Sequence, residues 1–333
     1  MNPRASFLSQ EKIATARLSF RQLIIRGPED GDRFFEAYGP GNTLQVIERP
    51  FERFEDYELL LNIIKQDDPQ KFAQIHKGTP YYFMGWLAFD LKNYVKAVFY
   101  LDAAIAEDIR KDPIGWQGNP GNQILTLSDS ADQVAARMTK HLRELIGLQF
   151  SRFNSISKLT GISLDHFIDK FILILVKDTE KHSIITAVYS FILEFGDREK
   201  ELQLRSSTGG SIEPVLTYLF KGGLIFESLL KHLYPIKDNG DQTKTLGDIY
   251  KTNNFKSDFL QNISTSSSSL KDIINSVGTN TDMQTAFNTA TKLRNTTGHN
   301  LVWDDVFDDV GHFRILYYQL INATLFIVKV KFL

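Results

Sequence analysis

The chain has no cysteine among its 333 residues. That excludes disulfides, thiolate nucleophiles and thiolate metal sites, and it fits a reducing compartment such as the cytoplasm. Net charge is also nearly absent, with 38 Lys and Arg against 40 Asp and Glu for a formal −2. No global field therefore draws the chain to a polyanion, and contact with nucleic acid must come from a local group of cations. The seven histidines lack the His-x3-His or His-Glu-x2-His spacing that sets two ligands on one helix face, so no metal site is expected. The pairs Gly209-Gly210 and Gly222-Gly223 have neither the spacing nor the Lys-Ser/Thr of a phosphate-binding loop, so no nucleotide cofactor is expected either. Long apolar runs are lacking as well. Phe171 to Val176 is too short to span a bilayer, and Ile315 to Val328 is interrupted by Gln319 and Asn322, so both read as buried helix and no membrane partner is expected. Met1 to Gln10 holds no apolar stretch of the kind that marks a secretory signal.

What remains is a globular composition, 42% hydrophobic and 23% charged, in a chain whose length suits two domains. The periodicity is helical throughout, which predicts an all-α fold. Residues 1–50 read as a loop-rich lead-in, with a helix-compatible stretch from Glu11 to Leu23, then Gly27, Pro28, Gly31, Gly39, Pro40 and Gly41, and a short apolar run from Leu44 to Ile47. Tyr57, Leu60, Leu61 and Ile64 then mark one amphipathic helix, ended by Asp67, Asp68 and Pro69. Residues 79–113 resemble a single tetratricopeptide-type hairpin, because Gly85, Tyr94, Ala97, Leu101 and Ala104 fall at that repeat's small and aromatic positions. No second copy follows at a period of about 34, so an ordinary αα-hairpin is the alternative. Trp116, Gly118, Pro120 and Gly121 mark residues 115–129 as a loop, and helices are expected near 130–150, 163–178 and 181–196. The run Ser206 to Ser211 has the composition of a flexible joint. It divides a helical N-terminal domain, 1–205, from a C-terminal domain, 211–333.

The C-terminal part carries the informative pattern. Val215, Leu219, Phe226, Leu229, Leu230 and Leu233 repeat at helical spacing, with Gly222 and Gly223 where another helix could approach closely. A short helix follows near Leu246 to Thr252, and then a low-complexity run from Ser264 to Ser269. Thr281 and Gln284 form a capping-box pattern before a helix whose face is marked by Met283, Phe287 and Ala290. Arg294 continues that face, so a permanent cation stands where a core residue is expected. Gly298 suits a left-handed helix end, and His299 follows it. A last helix opens among Asp304, Asp305, Asp308 and Asp309, at the positive end of its dipole.

Arg294 and His299 pair a fixed cation with a titratable imidazole across a helix end. RNA cleavage without metal needs those two parts, a base for the ribose 2′-hydroxyl and a cation for the charge that builds on phosphorus. Asn295 is placed to bond the phosphate or hold the imidazole. The string Arg294-Asn295-Thr296-Thr297-Gly298-His299 matches the Arg-polar-x3-His signature of the HEPN family, and residues from about 211 to 333 resemble that family's helical bundle. Leu224 to Lys231 in the first helix and Thr245 to Asp248 at the start of the second agree with it. The resemblance implies a HEPN-like four- or five-helix bundle that homodimerises, a metal-independent endoribonuclease acting on RNA, catalytic roles for Arg294, His299 and Asn295, and a toxin or antiviral-defence setting. Leu301 departs from the subgroup whose motif continues His-x-Tyr, so modification at that position is not implied. The alternative is a silent HEPN-like dimerisation or interaction module. In it Arg294 caps its own helix or pairs with Glu227 or an Asp of the last helix, and the N-terminal hairpins bind a protein partner. The clusters Lys140, His141 and Arg143, and Lys244 and Lys251, read equally as RNA-steering cations or as solvated faces.

Overall fold

The computed structural model of the chain describes residues 8–40, 49–157, 159–178, 181–259, 274–275, 282–297 and 309–333. The fold is all-α: among the described residues the regular structure is helical, beside one isolated antiparallel bridge between Ile236 and Gln242. The expected apolar run at Leu44 to Ile47, the serine run at Ser264 to Ser269, Thr281, Gly298 and His299 lie outside the described residues. The chain forms two compact units, Met1–His141 and Leu142–Leu333.

The first unit contains α1 (Gln10–Gln22), α2 (Asp30–Tyr38), α3 (Pro50–Asp67), α4 (Pro69–Gln74), α5 (Gly78–Asp90), α6 (Tyr94–Lys111) and α7 (Pro120–Leu125). α8 (Gln133–Ile156) runs across the division. In α3 the expected stripe is the buried one, with Tyr57, Leu60, Leu61 and Ile64 all in the core. α5 and α6 form the expected hairpin. It closes tightly because a Cβ on Gly85 would stand only 3.0 Å from Leu101 Cγ and 3.2 Å from the Ala97 carbonyl oxygen.

Two expected loops contain helices. α2 lies within the lead-in and starts where the Asp30 side chain accepts the Arg26 N–H at 2.7 Å. Gly31 is there for packing and not for a turn, since a Cβ would sit 2.3 Å from the His76 carbonyl oxygen. Between 115 and 129, a 3-10 turn at Trp116–Gly118 leads into α7. Trp116, Ile124 and Leu125 are buried, and this anchoring overrides the local Gly and Pro content.

The second unit holds α9, built from Leu164–Phe167, a π-helical turn Ile168–Ile172 and Leu173–Leu175, then α10 (His182–Thr208) and α11 (Glu213–Leu233). α12 (Leu246–Lys251), α13 (Asn253–Phe259), α14 (Met283–Thr297) and α15 (Val310–Lys331) follow. α11 packs against α10, α14 and α15, and α14 packs against α15, giving a four-helix arrangement. α12 opens with a full capping box between Thr245 and Asp248. α13, which the periodicity did not suggest, contributes buried Phe255 and Phe259.

The compact units part at 141/142 and not at the serine-glycine run, and the reason lies in α10. That helix continues to Thr208, through half of the expected joint, before Gly209 and Gly210 turn the chain with φ of +81° and +143°. Its Phe191 stacks on Tyr218 of α11 at 4.5 Å, and its Phe195 stacks on Tyr317 of α15 at 3.9 Å. These aromatic contacts tie α10 into the core of the C-terminal helices. α15 has the length and apolar composition of a membrane span, and most of its apolar window is buried inside this core.

Candidate functional site

α14 starts where Asp282 Oδ1 accepts the Thr285 N–H at 2.7 Å. Phe287, Ala290 and Leu293 then bury completely, with Phe287 edge-on to Phe226 of α11 at 5.0 Å. Arg294 lies at the end of this apolar stripe, facing α11. The two helices touch there because α11 has a glycine: a Cβ on Gly223 would stand 2.9 Å from Arg294 Cβ and 3.1 Å from Arg294 Cα. The close approach brings the guanidinium onto a carboxylate one turn further along α11.

Arg294 donates twice to Glu227, from Nε to Oε2 at 2.5 Å and from Nη2 to Oε1 at 3.2 Å. This is the two-point geometry that suits a planar guanidinium. Nη1 donates to Asn295 Oδ1 at 3.2 Å. Lys231, four residues on from Glu227, places Nζ 2.8 Å from Oε1 of the same carboxylate. The Glu227 side chain is only 5% exposed, while those of Arg294 and Lys231 are 32% and 39% exposed. Burial pushes the Glu227 carboxyl up, but the hydrogen bonds from Lys231 and Arg294 outweigh it and hold the group below the usual glutamate value.

The cluster contains two cations and one anion, so it keeps one net positive charge. A guanidinium has five N–H donors and an ammonium three. Among the described residues, three of the Arg294 donors and one of the Lys231 donors are engaged, which leaves four for an incoming acceptor. That donor set suits a phosphate.

Of the residues the sequence singles out, Arg294 and Asn295 come together here, and Glu227 is the acid that pairs with Arg294. Asp309, the one described Asp at the start of the last helix, is engaged elsewhere, accepting the His312 N–H at 2.8 Å as the cap of α15. Lys231 was missed, although its i,i+4 spacing from Glu227 was visible in the sequence. No group of three His, Asp or Glu side chains among the described residues could hold a metal ion. Comparison with protein-family models, with curated proteins and with solved structures returned no match to this chain.

Proposed function

We propose that the chain is a metal-independent RNA endonuclease of HEPN type, working as a homodimer in the cytoplasm, in a toxin or defence setting or in RNA processing. His299 takes the proton from a ribose 2′-hydroxyl, whose oxygen attacks the adjacent phosphorus. The 5′-oxygen leaves and is protonated, giving a 2′,3′-cyclic phosphate and a 5′-hydroxyl. Arg294 stabilises the charge that builds on the phosphate oxygens, Asn295 steadies the guanidinium, and Glu227 orients it. The observation that carries this reading is the partly exposed guanidinium of Arg294, held from beneath by Glu227, with four donors of a net positive cluster left for an acceptor.

The Arg294–Glu227 pair also favours a second reading, a silent interaction module in which the pair clamps α11 to α14. Cleavage of mixed single-stranded RNA in excess EDTA separates the two. Removing the base in His299→Ala should cost about 10²- to 10⁴-fold, and Arg294→Met about 10²- to 10³-fold. Glu227→Gln should lower kcat more than it raises KM. Wild-type RNA left intact, or cut equally by the His299 and Arg294 variants, would defeat the nuclease reading and leave the module.

A further inference from the structure

The first unit contains a cavity of about 310 Å³, at the lower end of the range for small-ligand sites. It lies among α2, the turn before α5, α5 itself, α6 and the start of α7. On one side His76, 3% exposed, sits between two carboxylates, with Nδ1 2.7 Å from Asp32 Oδ1 and Nε2 2.9 Å from Asp108 Oδ1. Only the imidazolium can donate from both nitrogens. Gly78 is required beside it, because a Cβ there would stand 2.4 Å from Nε2. Asp32 also accepts from Thr79 at 3.0 Å and from Lys111 at 2.5 Å. The charges of His76 and Lys111 are thus both committed.

Two carboxylates lining the cavity are only half engaged. Asp108 is 9% exposed, and among the described residues nothing donates to its Oδ2. Asp132 uses Oδ1 for the Tyr82 hydroxyl at 2.6 Å and for the backbone N–H groups of Val134 and Ala135, and its Oδ2 likewise takes no described donor. Counting His76 and Lys111 as cations against Asp32, Asp108 and Asp132, the lining has a net charge of −1. Both Oδ2 atoms are open to the cavity, where an incoming donor can reach them. An anion would meet acceptors here, and no described set of three ligands is arranged for a metal ion. The groups that fit are N–H donors on an organic cation. The Tyr82 and Phe83 rings, 5.7 Å apart, add the aromatic wall on which a planar cation stacks.

We propose that this cavity binds a guanidinium-bearing ligand, whose cation pairs with the open oxygens of Asp108 and Asp132 beside the Tyr82 ring. The site is independent of Arg294 and would make the N-terminal unit a sensor of guanidino compounds or a receptor for an arginine side chain of a protein partner. The test is titration calorimetry on the full chain with agmatine and, separately, with a blocked Gly-Arg-Gly peptide. One-to-one binding of agmatine, with the peptide excluded, identifies a free small molecule; tighter binding of the peptide identifies a partner's side chain. In either case Asp108→Asn should weaken binding at least about tenfold. Asn119→Leu provides a second variant, because the Asn119 side chain lines the cavity and has no described hydrogen bond, so the change fills space without unpairing a neighbour. It should block binding and leave the thermal melt in place. Absence of binding by both probes at about 10 mM, where even a ~1 mM site is mostly filled, would overturn the proposal. So would binding that survives both substitutions.

Discussion

Gly223→Ala is the substitution that most directly tests how Arg294 is positioned. In the middle of a helix, alanine is favoured over glycine by about 1 kcal/mol, so intrinsic propensity alone predicts a more stable protein. The structure predicts the reverse, because the new methyl would meet Arg294 Cβ at 2.9 Å, Cα at 3.1 Å and N at 3.2 Å. These atoms belong to or adjoin the backbone of α14 and cannot rotate away, so α11 and α14 must separate by a few tenths of an ångström. Overpacking of this kind costs about 1–3 kcal/mol, which leaves a net loss of up to about 2 kcal/mol once propensity is subtracted. Gly196 on α10 is the control, because a Cβ there meets nothing within 4 Å and alanine should stabilise by about 0.5–1 kcal/mol. The two alanine variants should therefore differ by about 1–3 kcal/mol in urea denaturation followed by circular dichroism, a separation of several degrees in Tm. RNA cleavage should fall in Gly223→Ala and not in Gly196→Ala. Equal stability of the two variants would show that α11 and α14 do not meet as described, and the orientation of Arg294 argued from that contact would go with it.

Glu227 is held below its ordinary pKa of 4.5, so its stabilisation is present above that value and is lost as pH falls through the lower folded value. Glu227→Gln should flatten the acid limb of a Tm-against-pH profile. His76 has the opposite sign: burial pushes its pKa down, but Asp108 and Asp32 more than offset this and leave it above 6.5. Its stabilisation is therefore complete below pH 6.5 and lost as pH rises through the folded value, an alkaline slope that His76→Gln should remove. The Arg152 guanidinium lies 3.5 Å from the Tyr318 ring centroid and donates to Asn322 Oδ1 at 2.9 Å. Arg152→Lys should lose about 1–2 kcal/mol in urea denaturation despite keeping the charge, and an unchanged midpoint would show that the stack contributes nothing.

Elements whose cause is local were legible in the sequence. The α3 stripe, the α5–α6 hairpin with Gly85 at its closest contact, and the paired glycines of α11 all follow from helical spacing and side-chain size. Arg294 was visible as a cation on an apolar stripe, with Glu227 among its expected partners. What escaped has causes distant in the chain. Gly31 reads as a turn residue until His76, 45 positions on, is seen to need the space over it. His76 itself has no partner at helical spacing, since Asp32 and Asp108 lie 44 and 32 residues away. α7 and α13 are short, six and seven residues, and give periodicity too little length to register. The end of α10 runs past what composition suggests, because Ser206 to Thr208 have the make-up of a joint while Phe191 and Phe195 upstream hold the helix against the C-terminal core.

Whether Arg294 and Glu227 form a clamp or a site depends on which member lies inside. A clamp requires only that opposite charges meet, and apolar residues of similar volume commonly do as well at lower desolvation cost. Here the carboxylate is the inner member, 5% exposed beneath two cations that are each about one-third exposed. A buried anion that anchors two outward cations fixes their direction and leaves the excess positive charge on the solvent side. Neutralisation alone would need one cation, and Lys231 is the second. On the nuclease proposal that surplus, oriented by a carboxylate an approaching phosphate cannot reach, is what the phosphate meets; on the module reading it is a solvated lysine beside a clamp, and RNA cleavage by Lys231→Ala separates the two, unchanged cleavage counting against a preorganised anion site.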